Sequence, residues 1–169
     1  MARHLYIVAL GSNMRHPRYG APRRVLAAAL KALDQGEPDM LAASKVIETP
    51  PLGPSRRRYA NAAALVRSRL EPDELLRTLH GIEQRFGRLR RGSAWGARVL
   101  DLDLVLWSGG AWTSSSDAGD CVVPHPAFRQ RTFVLAPIAT IAGDWRDPLT
   151  SHTARQLLAR LTKPRPAPR

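Results

Sequence analysis

The chain has 169 residues, a formal net charge of +12 and a single cysteine, Cys121. That length suits one well-buried domain, and the charge favours a polyanionic partner: nucleotide, nucleic acid or membrane surface. One cysteine excludes an internal disulfide, which fits a reducing cytoplasm, and the N-terminal apolar run is too short for a signal-peptide core or a membrane span. The expectation is a soluble, cytoplasmic protein with no membrane contact.

Leu5–Leu10 reads as a buried strand ended by Gly11, Ser12 and Asn13. From Pro22 the spacing of Leu26, Ala29, Leu30 and Leu33 predicts a helix, with Pro22 near its start and Gly36 past its end. Met40–Glu48 reads as a second strand, stopped by the Pro/Gly cluster from Thr49 to Pro54. Tyr59–Arg67 is ambiguous. Its alanines argue helix, whereas a strand would put Tyr59 and Asn61 on one face. Glu71–Phe86 carries the clearest helical stripe, Leu75, Leu79, Ile82 and Phe86, with Pro72 in its first turn and Gly87 as its stop.

An arginine-rich loop follows, then Leu100–Trp107. Leu100, Leu102, Leu104 and Leu106 alternate at period two, so an extended strand turns all four to one face. Asp101 and Asp103 then share the other face, roughly 7 Å apart. Two like charges so placed want a counter-charge, and a divalent cation bridged by phosphate oxygens supplies one. Arg85, Arg88, Arg90, Arg91 and Arg98 just upstream favour a nucleotide-triphosphate site over a merely solvated strand face.

Gly109-Gly110 predicts a turn, and Thr113–Gly119 a polar loop. Pro124, His125 and Pro126 lead into a largely helical Arg129–Ile141, and a last helix covers about residues 154–161. The first six elements run β-α-β-β-α-β, which suits an α+β sandwich of ferredoxin-like type with a C-terminal extension. Both helices would cover one sheet face, leaving the aspartates on an open one. Residues 1–162 are expected to form one domain. Residues 163–169 form a basic, Pro-rich tail that reads as disordered.

Three segments together resemble the 6-hydroxymethyl-7,8-dihydropterin pyrophosphokinases of folate biosynthesis. They are Thr49–Pro54 with Tyr59 and Asn61, then Arg88–Asp103, then Pro124-His125 with Arg131, Thr132 and Phe133. Ala9–Asn13 is also similar to the family's opening. The resemblance implies transfer of diphosphate from ATP to the pterin hydroxymethyl group, releasing AMP. It implies that Asp101 and Asp103 hold two Mg²⁺ ions, and that Arg88 and Arg98 act on the phosphates. It places the nucleotide against Glu83, Arg90, Trp95, Arg98, Leu104, His125 and Arg131. The pterin would meet Thr49, Pro50, Leu52, Tyr59, Asn61 and Phe133. Read alone, Glu83 is an exposed helical charge, and Tyr59 and Phe133 are core. The implied partners are ATP and the pterin, with no nucleic acid and a monomeric state.

The chain departs from the family pattern at Ser55 to Arg58, Ala97, His80 and Asp120. Two other readings compete: a two-metal nucleotidyl transferase, or a nucleic-acid-binding module on the same fold. The first accounts for the aspartates but not for Tyr59, Asn61 and the Pro loop. The second lacks the aromatic residues that stack bases on central strands.

Overall fold

The computed structural model describes residues 3–50, 57–87, 98–116 and 119–164. Seven strands and four helices are found among them: β1 (His4–Ser12), α1 (Pro22–Leu33), β2 (Asp39–Ala43), β3 (Ile47–Thr49), β4 (Tyr59–Ser68), α2 (Pro72–Arg85), β5 (Asp101–Trp107), β6 (Trp112–Ser116), β7 (Gly119–Val123), α3 (Thr132–Ala142) and α4 (Ala154–Thr162). The result is a mixed α/β fold whose main sheet is antiparallel, in the order β2-β4-β1-β5 with β3 also paired to β4.

The first two predicted helices form where their signals stand. Pro22 opens α1, and α2 starts after Glu71, whose backbone N–H donates to the Glu74 carboxylate (2.9 Å). Phe86 caps α2, and Gly87 follows at φ +82°. Leu75, Leu79, Ile82 and Phe86 are all buried, together with Leu26, Ala29 and Leu33 of α1, against Tyr6, Val8 and Leu10 of β1. The alanine-rich stretch after Tyr59 is a strand. β4 sits between β2 and β1 and uses both edges, so ladder pairing overrides the helical propensity of its alanines.

Three expectations need correction. The strand predicted over Met40–Glu48 breaks in two at Ser44, whose N–H donates to Ala63 O (2.8 Å) while its Oγ accepts from Ala63 N–H (2.9 Å). Thr113–Ser116, expected as loop, belongs to β6, and Gly119 begins β7; the two strands pair as a hairpin that Asp73 of α2 holds through Trp112 Nε1 and Ser114 Oγ. The four leucines do not share a face. Leu100, Leu102 and Leu104 enter the core under α1 and α2, but Leu106 enters a second core on the opposite face.

The cause of that switch is a register shift between β1 and β5. Ile7 pairs with Leu106 and Val8 with Leu104, so Val105 is an inserted residue. Val105 and Leu106 then pack with Ile7, Ala9 and Ala63 beneath Val134, Leu135 and Ile138 of α3 and Leu157 of α4. The face expected to be open is therefore covered over half its length. What remains uncovered is the end that carries Asp101 and Asp103.

A candidate active-site cleft

Along β1, β4 and β5 the register sets Gly11 between Asn61 and Asp101, and Ala9 between Ala63 and Asp103. Ala9, Gly11, Asp101 and Asp103 floor a cleft of about 590 Å³ at the uncovered end of the sheet. One wall is Thr49 of β3 with Tyr59 and Asn61 of β4; the other is the His125–Arg131 turn with Phe133 in the first turn of α3. Five sequence-distant segments thus converge, and the cleft gathers Thr49, Tyr59, Asn61, Arg98, Asp101, Asp103, His125, Arg131 and Phe133.

Several of these polar groups are held in place. Asn61 Nδ2 donates to Thr49 Oγ1 (2.8 Å), which fixes the amide plane of a half-open site. Arg98 forms a charge-assisted hydrogen bond with Asp101, both side chains being largely covered. The Arg98 backbone is pinned in turn by Asn13: its N–H donates to Asn13 Oδ1 (2.6 Å) and its carbonyl accepts from Asn13 N–H (3.0 Å). The Arg131 guanidinium lies 5.8 Å from the Phe133 ring centroid, close enough for a cation–π contact.

His125 is fixed by three bonds. Its N–H donates to Val105 O (2.9 Å), its carbonyl accepts from Phe128 N–H (3.2 Å), and its Nδ1 accepts from Ala127 N–H (3.2 Å). An accepting Nδ1 leaves Nε2 as the protonated nitrogen of the neutral ring, a donor for an anion in the cleft. Burial lowers the His125 pKa below the usual 6.5, the Arg131 charge lowers it further, and Asp101 partly offsets both.

Some predicted residues stand elsewhere. Glu83 is not an exposed helical charge. It is 1 % exposed, and its Oε1 accepts the Leu102 N–H (2.7 Å), so it ties α2 to the strand that carries the aspartates. Leu104 points into the core under the helices, so a nucleotide would meet its backbone alone. Pro50 is exposed and is not among the residues lining the cleft. Leu52, Arg88, Arg90 and Trp95 lie outside the described residues.

Gly11, Asn13 and Gln130 were not singled out as site residues by sequence reasoning, although Gly11 and Gln130 line the cleft and Asn13 holds Arg98. Gly11 was read as the end of the first strand, but β1 runs on to Ser12, and a glycine inside a strand marks a close approach. Among the described residues no group of three or more His, Cys, Asp or Glu is placed to hold a metal ion, and no helix is long and apolar enough to cross a membrane.

Known proteins resemble this chain in sequence and in fold. The family model for 7,8-dihydro-6-hydroxymethylpterin-pyrophosphokinase (HPPK) matches residues 7–143. A Pseudomonas aeruginosa protein named 2-amino-4-hydroxy-6-hydroxymethyldihydropteridine pyrophosphokinase is 37% identical over 161 residues, covering 94% of this chain and 93% of the relative. A Synechocystis protein of the same name is 42% identical over 106 residues, which is 63% of this chain; the match spans about half (52%) of that longer relative. In fold, the chain is similar to the crystal structure of Plasmodium falciparum HPPK-DHPS, with a TM-score of 0.76 at 11% identity, covering 94% of this chain and 41% of that one.

Proposed function

The chain belongs to the 7,8-dihydro-6-hydroxymethylpterin-pyrophosphokinase family, and from that premise we propose that its cleft transfers diphosphate from ATP to the hydroxymethyl group of 6-hydroxymethyl-7,8-dihydropterin, a step of folate biosynthesis that releases AMP. The observation that carries this reading is the convergence of an aromatic pair, an oriented amide, two carboxylates and two arginines in one cleft. Tyr59 and Phe133 supply faces for a flat heterocycle, and the Asn61 amide, set by Thr49, offers the donor–acceptor pair that a pterin edge needs.

In the same cleft, Arg98, Arg131 and the His125 Nε2–H present cations and a donor to phosphate oxygens. Asp101 and Asp103 fit Mg²⁺. They are hard oxygen donors on one strand face, too few to satisfy the ion alone, which matches a cation that completes its shell with substrate phosphates. Two ions bound there would screen the triphosphate charge while the pterin hydroxyl attacks the β-phosphorus. The chain's own part is alignment: a poor nucleophile needs the ring, the hydroxyl and the phosphorus held in line. The frame that does this, a β-α-β-β-α-β core in strand order β2-β4-β1-β5, we read as ferredoxin-like.

The test is product analysis with ATP, the pterin and Mg²⁺. AMP must appear in step with pterin diphosphate; release of inorganic diphosphate in its place would assign the site to a nucleotidyl transferase. Asp101→Ala and Asp103→Ala should each remove most turnover while melting near the parent, since both side chains face the cleft and not the core. Near-parent single-turnover rates in both variants would reject the roles given to the aspartates.

A further inference from the structure

We propose that a second cleft, which shares Tyr59 with the first, is a binding site for a phosphorylated heterocycle. It measures about 650 Å³ and shares Tyr59 as a common wall with the reaction cleft. Arg15, Arg23, Arg57 and Arg58 line it against a single carboxylate, Glu48. Glu48 does little to neutralise Arg58, since their contact is long (3.9 Å) and both side chains are more than half exposed, while both Nη atoms of Arg23 donate to Val46 O (3.2 and 3.1 Å). Arg57 and Arg58 belong to a stretch that departs from the family pattern; they do not line the reaction cleft, and the second cleft gives them a place.

Two further features point to an anion bearing a flat or apolar body. The positive end of α1 opens here through Ala21, Pro22 and Arg23, with no acidic residue in its first turn and no side-chain cap. Asn13 also lines the cleft. It is 4% exposed, its Oδ1 is spent on Arg98, and its Nδ2 is buried without a hydrogen-bond partner. A buried amide donor left unmade is costly, so an acceptor arriving in the cleft is favoured. Met14, Pro22, Ala60 and the Tyr59 ring give the body of the ligand an apolar seat, and the arginines take its phosphate. The nucleotide and the pterin diphosphate of the proposed reaction both belong to this ligand class. The site itself is argued from Asn13 and the arginines and does not depend on that reaction.

The experiment is an NMR titration of the ¹⁵N-labelled protein with AMP, in chelator and without pterin, following the Asn13 side-chain amide. Absence of metal and pterin keeps the outcome separate from that of the AMP-formation assay. The amide resonance should shift and saturate with AMP but not with adenosine. Arg15→Ala combined with Arg58→Ala should weaken that response tenfold or more. Asn13→Asp keeps the acceptor for Arg98 but places a negative oxygen in the cleft, so AMP-dependent shifts of the Ala60 and Arg23 backbone amides should disappear. Arg131→Ala, in the reaction cleft, should leave the Asn13 response in place. A stationary Asn13 amide overturns the proposal, and so does a response lost in Arg131→Ala and kept in the double arginine variant.

Discussion

Replacing Arg129 by alanine tests the support beneath the cleft. Asp147 is fully buried and accepts Arg129 Nε (2.6 Å), Arg129 Nη2 (2.6 Å), Thr150 Oγ1 (2.6 Å) and Leu149 N–H (3.2 Å). Burial alone would raise its pKa, but the bonds from Arg129, Thr150 and Leu149 outweigh burial and hold it below the usual carboxylate value. Arg129→Ala removes two of the four bonds and the only countercharge they carry. Breaking a buried pair from one side costs about 3–5 kcal/mol, and the two surviving bonds put the expected loss near the lower figure, about 3 kcal/mol. For a chain of this length that is about 6–12 °C in Tm. In the parent, the depressed pKa gives stability that is present above the unfolded carboxylate pKa and lost as pH falls through the folded one. In Arg129→Ala the carboxyl moves up instead, so the deficit is largest at neutral pH and narrows toward acid. Urea unfolding at neutral and acidic pH measures it. Adding Asp147→Asn should recover part of the loss. A deficit under about 1 kcal/mol, or no recovery in the double variant, refutes the argument. Because His125 and Arg131 flank this anchor, nucleotide affinity should fall in Arg129→Ala as well.

Phe133→Ala should weaken pterin binding by about 1–3 kcal/mol, by analogy with base–aromatic stacking, and ATP-analogue binding much less; calorimetry giving equal losses for both ligands would point to a packing defect. His125 should titrate below 6.5 in the free protein and higher with nucleotide bound, so nucleotide affinity should rise as pH falls between those two values; a pKa followed by NMR that does not move on binding rules out phosphate contact. Gly11→Val should leave melting nearly unchanged, because a Cβ there meets only Asn61 Oδ1 at an ordinary 3.6 Å, yet its branches enter the cleft floor and should cut pterin affinity at least tenfold. Parent-like pterin binding in that variant would place the substrate away from Gly11.

Where a sequence signal was purely local, the chain obeyed it. Pro22, Pro72 and Gly87 mark helix ends because their constraints act within one turn, whatever packs around them. The candidate site was legible for a different reason: its residues came from a family resemblance, and the sheet register then set Asn61, Gly11 and Asp101 side by side. Glu83 was misread although its position was readable. It stands four residues after Leu79 and eight after Leu75, on the buried stripe of α2, and charge was given more weight than period. A carboxylate there needed a buried donor, and the edge strand β5 provides one at Leu102 N–H.

The inserted residue at Val105 shows what alternation alone cannot carry. Leu104, Val105 and Leu106 are all apolar, so the pattern reads the same with or without an insertion. The choice is made by β1, whose Ile7 and Val8 pair across the shift, and by the apolar underside of α3. That choice has a functional consequence. With strict alternation, Val105 would continue the face of Asp101 and Asp103, and Leu106 would sit under α1 and α2. The bulge keeps Val105 on that face and brings Leu106 to it as well, and the two together give α3 the apolar seat that fixes its N-terminal end. Phe133 lies in that first turn, Arg131 just precedes it, and the Val105 carbonyl itself receives the His125 N–H. One extra residue in β5 therefore links the strand that carries the carboxylates to the wall that carries the histidine, the arginine and the aromatic ring.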